Sequence, residues 1–184
     1  SCYKKVIKIN PNFVQAYNNL GILFIQLNQF EKAINFSQKA IQINPKYAEP
    51  YNNLGLIFVH KGQLKKAITF YEKAIQINSK YADAFSNMGL AYRELKEYNK
   101  EIDFYNKAIE IRKQLIKGHP DVPKYRTDLA AVYNSLGLTF NSAGKQEDAI
   151  EMASKSILIE EQLAKEHPDN TTYSERLASS YYNL

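Results

Sequence analysis

The sequence predicts an all-α protein, a solenoid of antiparallel helix–turn–helix repeats, and three observations carry that prediction. A segment of eight residues occurs four times along the 184-residue chain with a glycine at its centre. Apolar residues within and after each copy fall three, four and seven apart, the period of a helix face rather than of a strand. Glycine, asparagine and proline punctuate the chain where one such face ends and another begins. Self-similarity at a fixed period marks an array of small units, each too small to bury its own apolar face, rather than a single globule.

The recurring segment is Tyr17-Asn18-Asn19-Leu20-Gly21-Ile22-Leu23-Phe24. It returns as Tyr51-Asn52-Asn53-Leu54-Gly55-Leu56-Ile57-Phe58, as Phe85-Ser86-Asn87-Met88-Gly89-Leu90-Ala91-Tyr92 and as Tyr133-Asn134-Ser135-Leu136-Gly137-Leu138-Thr139-Phe140, with a shortened copy at Tyr181-Tyr182-Asn183-Leu184. The intervals between glycines are 34, 34 and 48 residues, so the period lengthens partway along. A second helical pattern follows each first one: Ala33-Ile34 and Ala40-Ile41, then Ala67-Ile68 and Ala74-Ile75, then Ile102 and Ala108-Ile109, then Ala149-Ile150 and Ser156-Ile157. Asn28, Gly62, Lys96 and Gly144 occupy the turn between the paired helices; Gly and Asn suit a left-handed helix terminus, and lysine is the exception. Pro11 and Pro45 stop a second helix, because proline cannot continue the helical ladder. Glycine inside a helix costs about 1 kcal/mol against alanine, which predicts that the helices bearing Gly21, Gly55, Gly89 and Gly137 approach their alanine-bearing partners closely.

These residues resemble the tetratricopeptide repeat family, whose pattern of aromatic, Leu-Gly, aromatic, Ala, Ala and Pro at a period of 34 is matched by residues 14–47 and 48–81. The resemblance implies a right-handed superhelical solenoid. The expected organisation is a truncated second helix at 1–13, repeats at 14–47 and 48–81, longer repeats at 82–129 and 130–177, and the start of a further one at 178–184, its first helix opening near 170. The longer units share Gln114-Leu115-Ile116-Lys117-Gly118-His119-Pro120-Asp121 with Gln162-Leu163-Ala164-Lys165-Glu166-His167-Pro168-Asp169. They resemble the extended repeats of kinesin-light-chain-like members, and long helices are expected at roughly 98–117, 122–143 and 146–166. The two His-Pro-Asp tripeptides read as connectors, with Asp121, Thr171 or Thr172 placed to cap the next helix. Glu101 stands where the other repeats carry alanine. Unpaired buried carboxylates are rare, so its side chain is expected to bend to solvent.

Composition narrows the function. With 45% hydrophobic and 23% charged residues the chain is ordinary globular material, and no apolar run reaches the length of a membrane span. One cysteine excludes a disulfide framework within the chain and is compatible with a reducing, cytoplasmic setting. There is no nucleophile–base pair, phosphate-binding glycine loop or metal-ligand spacing, so neither an enzyme, a cofactor nor a metal is expected. The net charge of +5 divides into +9 over residues 1–117 and −4 over residues 118–184. Lys32, Lys39, Lys66, Lys73, Lys100 and Lys107 fall seven apart within second helices and 34 apart between them, and read as a solvated face. No arginine–aromatic interleaving accompanies them, which argues against nucleic acid. Tyrosines at fixed columns (Tyr17, Tyr51, Tyr133 and Tyr181; Tyr71 and Tyr105; Tyr47 and Tyr81) read as packing rather than stacking platforms.

Solenoids bind along the inner wall lined by the first helix of each hairpin. By resemblance to the family, that wall holds an amide column of Asn19, Asn53, Asn87, Ser135 and Asn183. Beside it run an apolar column of Ile22, Leu56, Leu90 and Leu138 and the flanking amides Asn18, Asn52 and Asn134. Amides carry both donor and acceptor, so such a ladder suits the backbone of an extended peptide; it equally suits the joining of neighbouring repeats. The family's clamp for chaperone-tail carboxylates would fall at Asn18, Ile22, Asn53, Asp83 and Asn87, where only Asn53 fits and Asp83 repels. The sequence therefore predicts a protein-interaction scaffold that takes an extended peptide or a partner helix. The substrate-docking arm of a larger glycosyl- or sulfotransferase-type enzyme, and a nucleic-acid-binding repeat, are the alternatives. Apolar Val6, Ile7 and Ile9 at one end, and Leu177, Tyr181 and Leu184 at the other, predict self-association there.

Overall fold

The computed structural model describes residues 2–182, and among these the secondary structure is helical. Asn183 and Leu184, placed by the sequence in the wall and at the apolar end, lie outside the described residues. The chain divides into two compact units, residues 1–95 and residues 96–184. The first unit contains α1 (Cys2–Ile9), α2 (Val14–Gln26), α3 (Phe30–Ile43), α4 (Glu49–His60), α5 (Leu64–Ile77) and α6 (Ala82–Glu94). The second contains α7 (Tyr98–Gly118), α8 (Pro123–Ser142), α9 (Gln146–Glu166) and α10 (Thr171–Tyr182).

In the first unit α2 pairs with α3 and α4 with α5, and each pair hands on to the next helix in sequence. The apolar residues of the recurring segment close these hairpins: Leu20 and Ile57 are fully buried, and Leu54 nearly so. Phe36 stacks on Phe24 and Phe70 on Phe58, each at 5.3 Å between ring centroids, so the same aromatic contact is made once per repeat. At Gly55 the need for glycine is steric. A Cβ there would stand 2.3 Å from the ring of Tyr71, which is itself fully buried on α5. The close partner is thus an aromatic ring, and not only the alanines Ala67 and Ala74 that the spacing suggested. Ala48, Ala74 and Ala84 form a small buried cluster between successive hairpins, covered by Tyr51, Ile75, Ile77 and Tyr81. Tyr51 and Tyr81, members of two of the tyrosine columns, are packing elements here.

All four expected turn positions adopt the left-handed conformation: Asn28 at φ 54°, Gly62 at 69°, Lys96 at 59° and Gly144 at 74°. Lys96 accepts a backbone that L side chains disfavour. The connectors between hairpins use another device. The side-chain oxygen of Asn10 accepts the backbone N–H of Asn12, and Asn44, Asn78 and Asn170 do the same for Lys46, Lys80 and Thr172, at 3.0–3.2 Å. The expected caps differ accordingly. Asn170, rather than Thr171 or Thr172, organises the entry to α10, and α8 begins at Pro123 with no side-chain cap from Asp121.

The second unit is built of longer helices, of 21, 20 and 21 residues for α7, α8 and α9, against 12 to 14 for α2 to α6. α8 pairs with α9, α7 lies against α8, and α10 lies against α9. Its interior holds charge. Glu101, expected to bend to solvent, is fully buried on α7, and the Thr139 hydroxyl of α8 donates to its Oε1 at 2.5 Å. A donor on the facing helix meets one oxygen of the carboxylate inside, which offsets part of the cost of taking it from water. Arg112, Glu160 and Ser156 are buried as well, the last donating to the backbone oxygen of Ala130 at 2.9 Å. Arg126 of α8 grips Glu166 of α9 through two parallel bonds of 2.8 and 2.5 Å. Hydrogen bonding from Arg126 holds the Glu166 carboxyl below its ordinary pKa.

Candidate functional site

In the first unit the first helices of successive hairpins, α2 with α4 and α4 with α6, are drawn together more closely than α3 and α5. Wedge-shaped stacking of this kind puts the first helices on the inner wall of the unit, the side that helical solenoids present to ligands.

The amides of this wall are closed on one another. Asn18, Asn52 and Asn53 are each 4% exposed. Asn53 Nδ2 donates to Asn18 Oδ1 at 2.8 Å, and Asn87 Nδ2 donates to Asn52 Oδ1 at 2.9 Å. Each bond joins a first helix to the first helix of the following hairpin. Tyr81 shares in this ladder. Burial, and after it the carboxylates of Asp83 and Glu49, push its hydroxyl well above the ordinary tyrosine pKa, while a hydrogen bond with Asn52 acts in the other direction. An amide taken from water must find a partner, and here the neighbouring repeat supplies it. Asn18, Asn52 and Asn53 therefore join repeats, the second of the two uses that the sequence left open for such a ladder. Asn19 and Asn87 remain half-buried on the same wall.

The apolar column differs. Ile22 is 38% exposed, and Leu56 and Leu90 are half-buried. Ile25 and Val59, three residues further along α2 and α4, are half-buried too and widen the strip. The sequence reading passed over these two, although their i+3 spacing from Ile22 and Leu56 places them on one helix face.

The second unit carries the corresponding residues on α8. Asn134 and Ser135 are half-buried and Leu138 is 46% exposed. Asn134 Nδ2 donates to the buried Ser180 hydroxyl of α10 at 2.7 Å, the same first-helix-to-first-helix link by a different acceptor. Asn134 and Leu138 also line a depression of about 190 Å³ between α8 and α9, with Asn141, Gln146 and Ile150.

Other candidate features resolve into local structure. The six lysines of the stripe are exposed. Lys66 lies 4.0 Å from the centre of the Phe58 ring, and Lys32 and Lys107 lie 5.5 Å from Phe24 and Phe104. Lys73 donates to Gln76, and Lys100 pairs with Glu97. His119 and His167 lie against Tyr125 and Tyr173, the same contact one period apart. Among the described residues no group of three or more His, Cys, Asp or Glu is arranged to hold a metal. Among the same residues no helix is long and apolar enough to cross a membrane.

Profiles described as TPR repeat match residues 23–60 and 55–96, and profiles described as tetratricopeptide repeat match residues 2–35 and 82–115. No curated protein matches the chain. Among solved structures it is similar to MamA, at 30% identity over 89% of this chain and 87% of that one, with a TM-score of 0.68. It shares its fold with TTC0263 of Thermus thermophilus, at 20% identity, over 98% of this chain and 87% of that one, with a TM-score of 0.68. It also shares its fold with YrrB, at 20% identity, over 96% and 97% of the two chains, with a TM-score of 0.55; YrrB is described as a TPR protein with an unusual peptide-binding site. Profile matches, paired helices at a recurring spacing and the MamA likeness agree: the chain belongs to the tetratricopeptide repeat family.

Proposed function

We propose that this chain is a non-catalytic protein-interaction scaffold, and that the inner wall of α2, α4 and α6 takes an extended segment of a partner protein. One observation supports this above the others. The strip of Ile22, Leu56 and Leu90 stays open at the wall while the amides beneath it are closed on one another. The amides fix the spacing of the helices, and the strip presents apolar side chains at that fixed spacing. A preformed strip needs no ordering on the protein side when a ligand arrives. The half-buried Asn19 supplies an amide group at its edge for a peptide backbone. On the second unit Leu138, with Asn134 and Ser135, offers the corresponding patch. The peptide-binding description of YrrB, a protein of the same fold, supports the same class of ligand. A cytoplasmic setting belongs to this reading and rests on the single cysteine.

The test is selection of phage-displayed twelve-residue peptides on the native chain, followed by affinity measurement on variants. Ile22→Asp with Leu90→Asp is expected to weaken selected peptides at least about tenfold, near 1.4 kcal/mol, while Lys39→Glu on the lysine face leaves them unchanged. Peptides that bind the double variant as tightly as the native chain refute the reading. Asn53→Ala with Asn87→Ala serves as a contrast. It removes two inter-repeat bonds and leaves buried acceptors unpaired, so it is expected to lower stability by roughly 1–3 kcal/mol per bond.

Self-association is a second reading, favoured by apolar side chains exposed on α1 and α10: Ile9 is 84%, Tyr181 51% and Tyr182 93% exposed. Equilibrium sedimentation at high concentration tests it, and a strictly monomeric species refutes it.

A further inference from the structure

In the second unit each place on α7, and on α8 as far as Asn134, has a counterpart 48 residues on, in α9 and α10. Arg112 corresponds to Glu160, and Asp128 to Arg176. Arg112 of α7 meets Asp128 of α8, Nη1 to Oδ2 at 3.3 Å, with side chains 8% and 24% exposed. Glu160 of α9 meets Arg176 of α10, Oε1 to Nε at 3.7 Å, with side chains 3% and 35% exposed. The same two places, one on a second helix and one on the first helix that stacks on it, hold an ion pair in both repeats with the charges exchanged. We infer that these opposed clasps fix which repeat stacks on which.

The apolar surfaces that join successive repeats are alike by construction, and likeness invites errors. A first helix can dock on the second helix of the wrong repeat, or of another copy of the chain. Docking α10 on α7 would bring Arg176 against Arg112, and docking a second copy's α8 on α9 would bring Asp128 against Glu160. Either contact places like charges in a site mostly closed to water, where such pairing is strongly unfavourable. Local surroundings reinforce the native choice. Lys124 bonds Asp128 at 2.6 Å, and Arg176 Nη2 donates to the backbone oxygen of Thr127 at 3.2 Å, tying α10 to α8 as well as to α9.

The experiment follows thermal midpoint by circular dichroism and oligomeric state after refolding at high concentration by size exclusion with light scattering. E160R or R176E alone is expected to lower the midpoint by roughly 5–10 °C, because each leaves two like charges facing. E160R/R176E restores opposite charges and recovers most of that loss, but it gives both repeats the same polarity. After unfolding and refolding it is expected to yield several-fold more dimer than the native chain treated alike. R112E/D128R/E160R/R176E re-establishes the alternation with every sign inverted and returns the dimer yield to the native level. The inference is overturned by failure of E160R/R176E to recover the midpoint, by its refolding with no more dimer than the native chain, or by a quadruple variant that dimerises as much as the double.

Discussion

Tyr71 and Gly55 show what a single contact decides. The ring of Tyr71 lies over the helix backbone at Gly55, and its hydroxyl is buried without a hydrogen-bond partner. Burial accordingly raises the hydroxyl pKa far above the ordinary tyrosine value. Ring and hydroxyl therefore act in opposite senses. Tyr71→Phe keeps the ring and removes an unsatisfied polar group, so it is expected to leave stability unchanged or raise it by up to about 1 kcal/mol. Gly55→Ala puts a methyl group into the ring and is expected to lower stability by roughly 1–3 kcal/mol. Denaturant midpoints of the two variants measure both effects, and a destabilised Tyr71→Phe would show that the hydroxyl has a role in the core. The same scale explains how Ser79 can stand where another repeat has Pro45. The turn is held by the asparagine before it, since Asn44 and Asn78 each accept the backbone N–H two residues on at 3.0 Å. The conformation therefore survives the loss of proline.

At the scale of the helix the period was legible and the interior charge was not. Expected helices at roughly 98–117, 122–143 and 146–166 compare with Tyr98–Gly118, Pro123–Ser142 and Gln146–Glu166. Spacing of apolar residues encodes length directly, because one face must stay dry along the whole helix. Glu101 escaped the same logic because its partner, Thr139, is 38 residues away and on another helix. The amide wall escaped it for a related reason. Asn18 and Asn53 stand in the same motif as the exposed Ile22, and only the stacking of one hairpin on the next shows which side chains face the neighbouring repeat and which face solvent. The bidentate grip of Arg126 on Glu166 joins α8 to α9 near the far end of their hairpin, and it gives a pH-dependent contribution of known sign. A carboxyl whose folded pKa is lowered stabilises the fold above its unfolded value, near 4.5, and that contribution is lost as pH falls through the folded value. Glu166→Gln removes the ionisation. The variant is expected to lose less stability than the native chain as pH falls from about 5 into the acid limb, the two curves converging once the pH has passed through the lowered folded value. Parallel curves for the two proteins over that range would exclude the pair as a contributor.

For the whole molecule, the decisive property is that within each unit the main helix contacts, among the described residues, join elements close in sequence. Helix contacts run from α1 to α2 and on through α6, and again from α7 through α10, with first helices also meeting across one hairpin in residues 1–95. Stability in such an array is close to a sum of repeat and nearest-neighbour terms, so damage stays local. Leu54 is 2% exposed at the centre of α4. Leu54→Ala leaves a cavity and is expected to cost about 2–5 kcal/mol, concentrated where α4 makes its contacts, with α2, α3, α5 and α6. Hydrogen exchange read by mass spectrometry should show faster exchange across those helices, while peptides from α9 and α10 keep their native protection. A uniform rise over the whole chain would mean that the protein unfolds as one cooperative body. In that case the repeat pattern would still describe the architecture, but the energy would not be distributed in the same units. Local cooperativity also suits a scaffold. A ligand laid along α2, α4 and α6 stabilises the helices it touches, because binding to the folded form alone shifts only the equilibria that include the site. Protection gained on binding a selected peptide should therefore fall on the same helices that Leu54→Ala loosens, and that coincidence ties the wall to the units that build it.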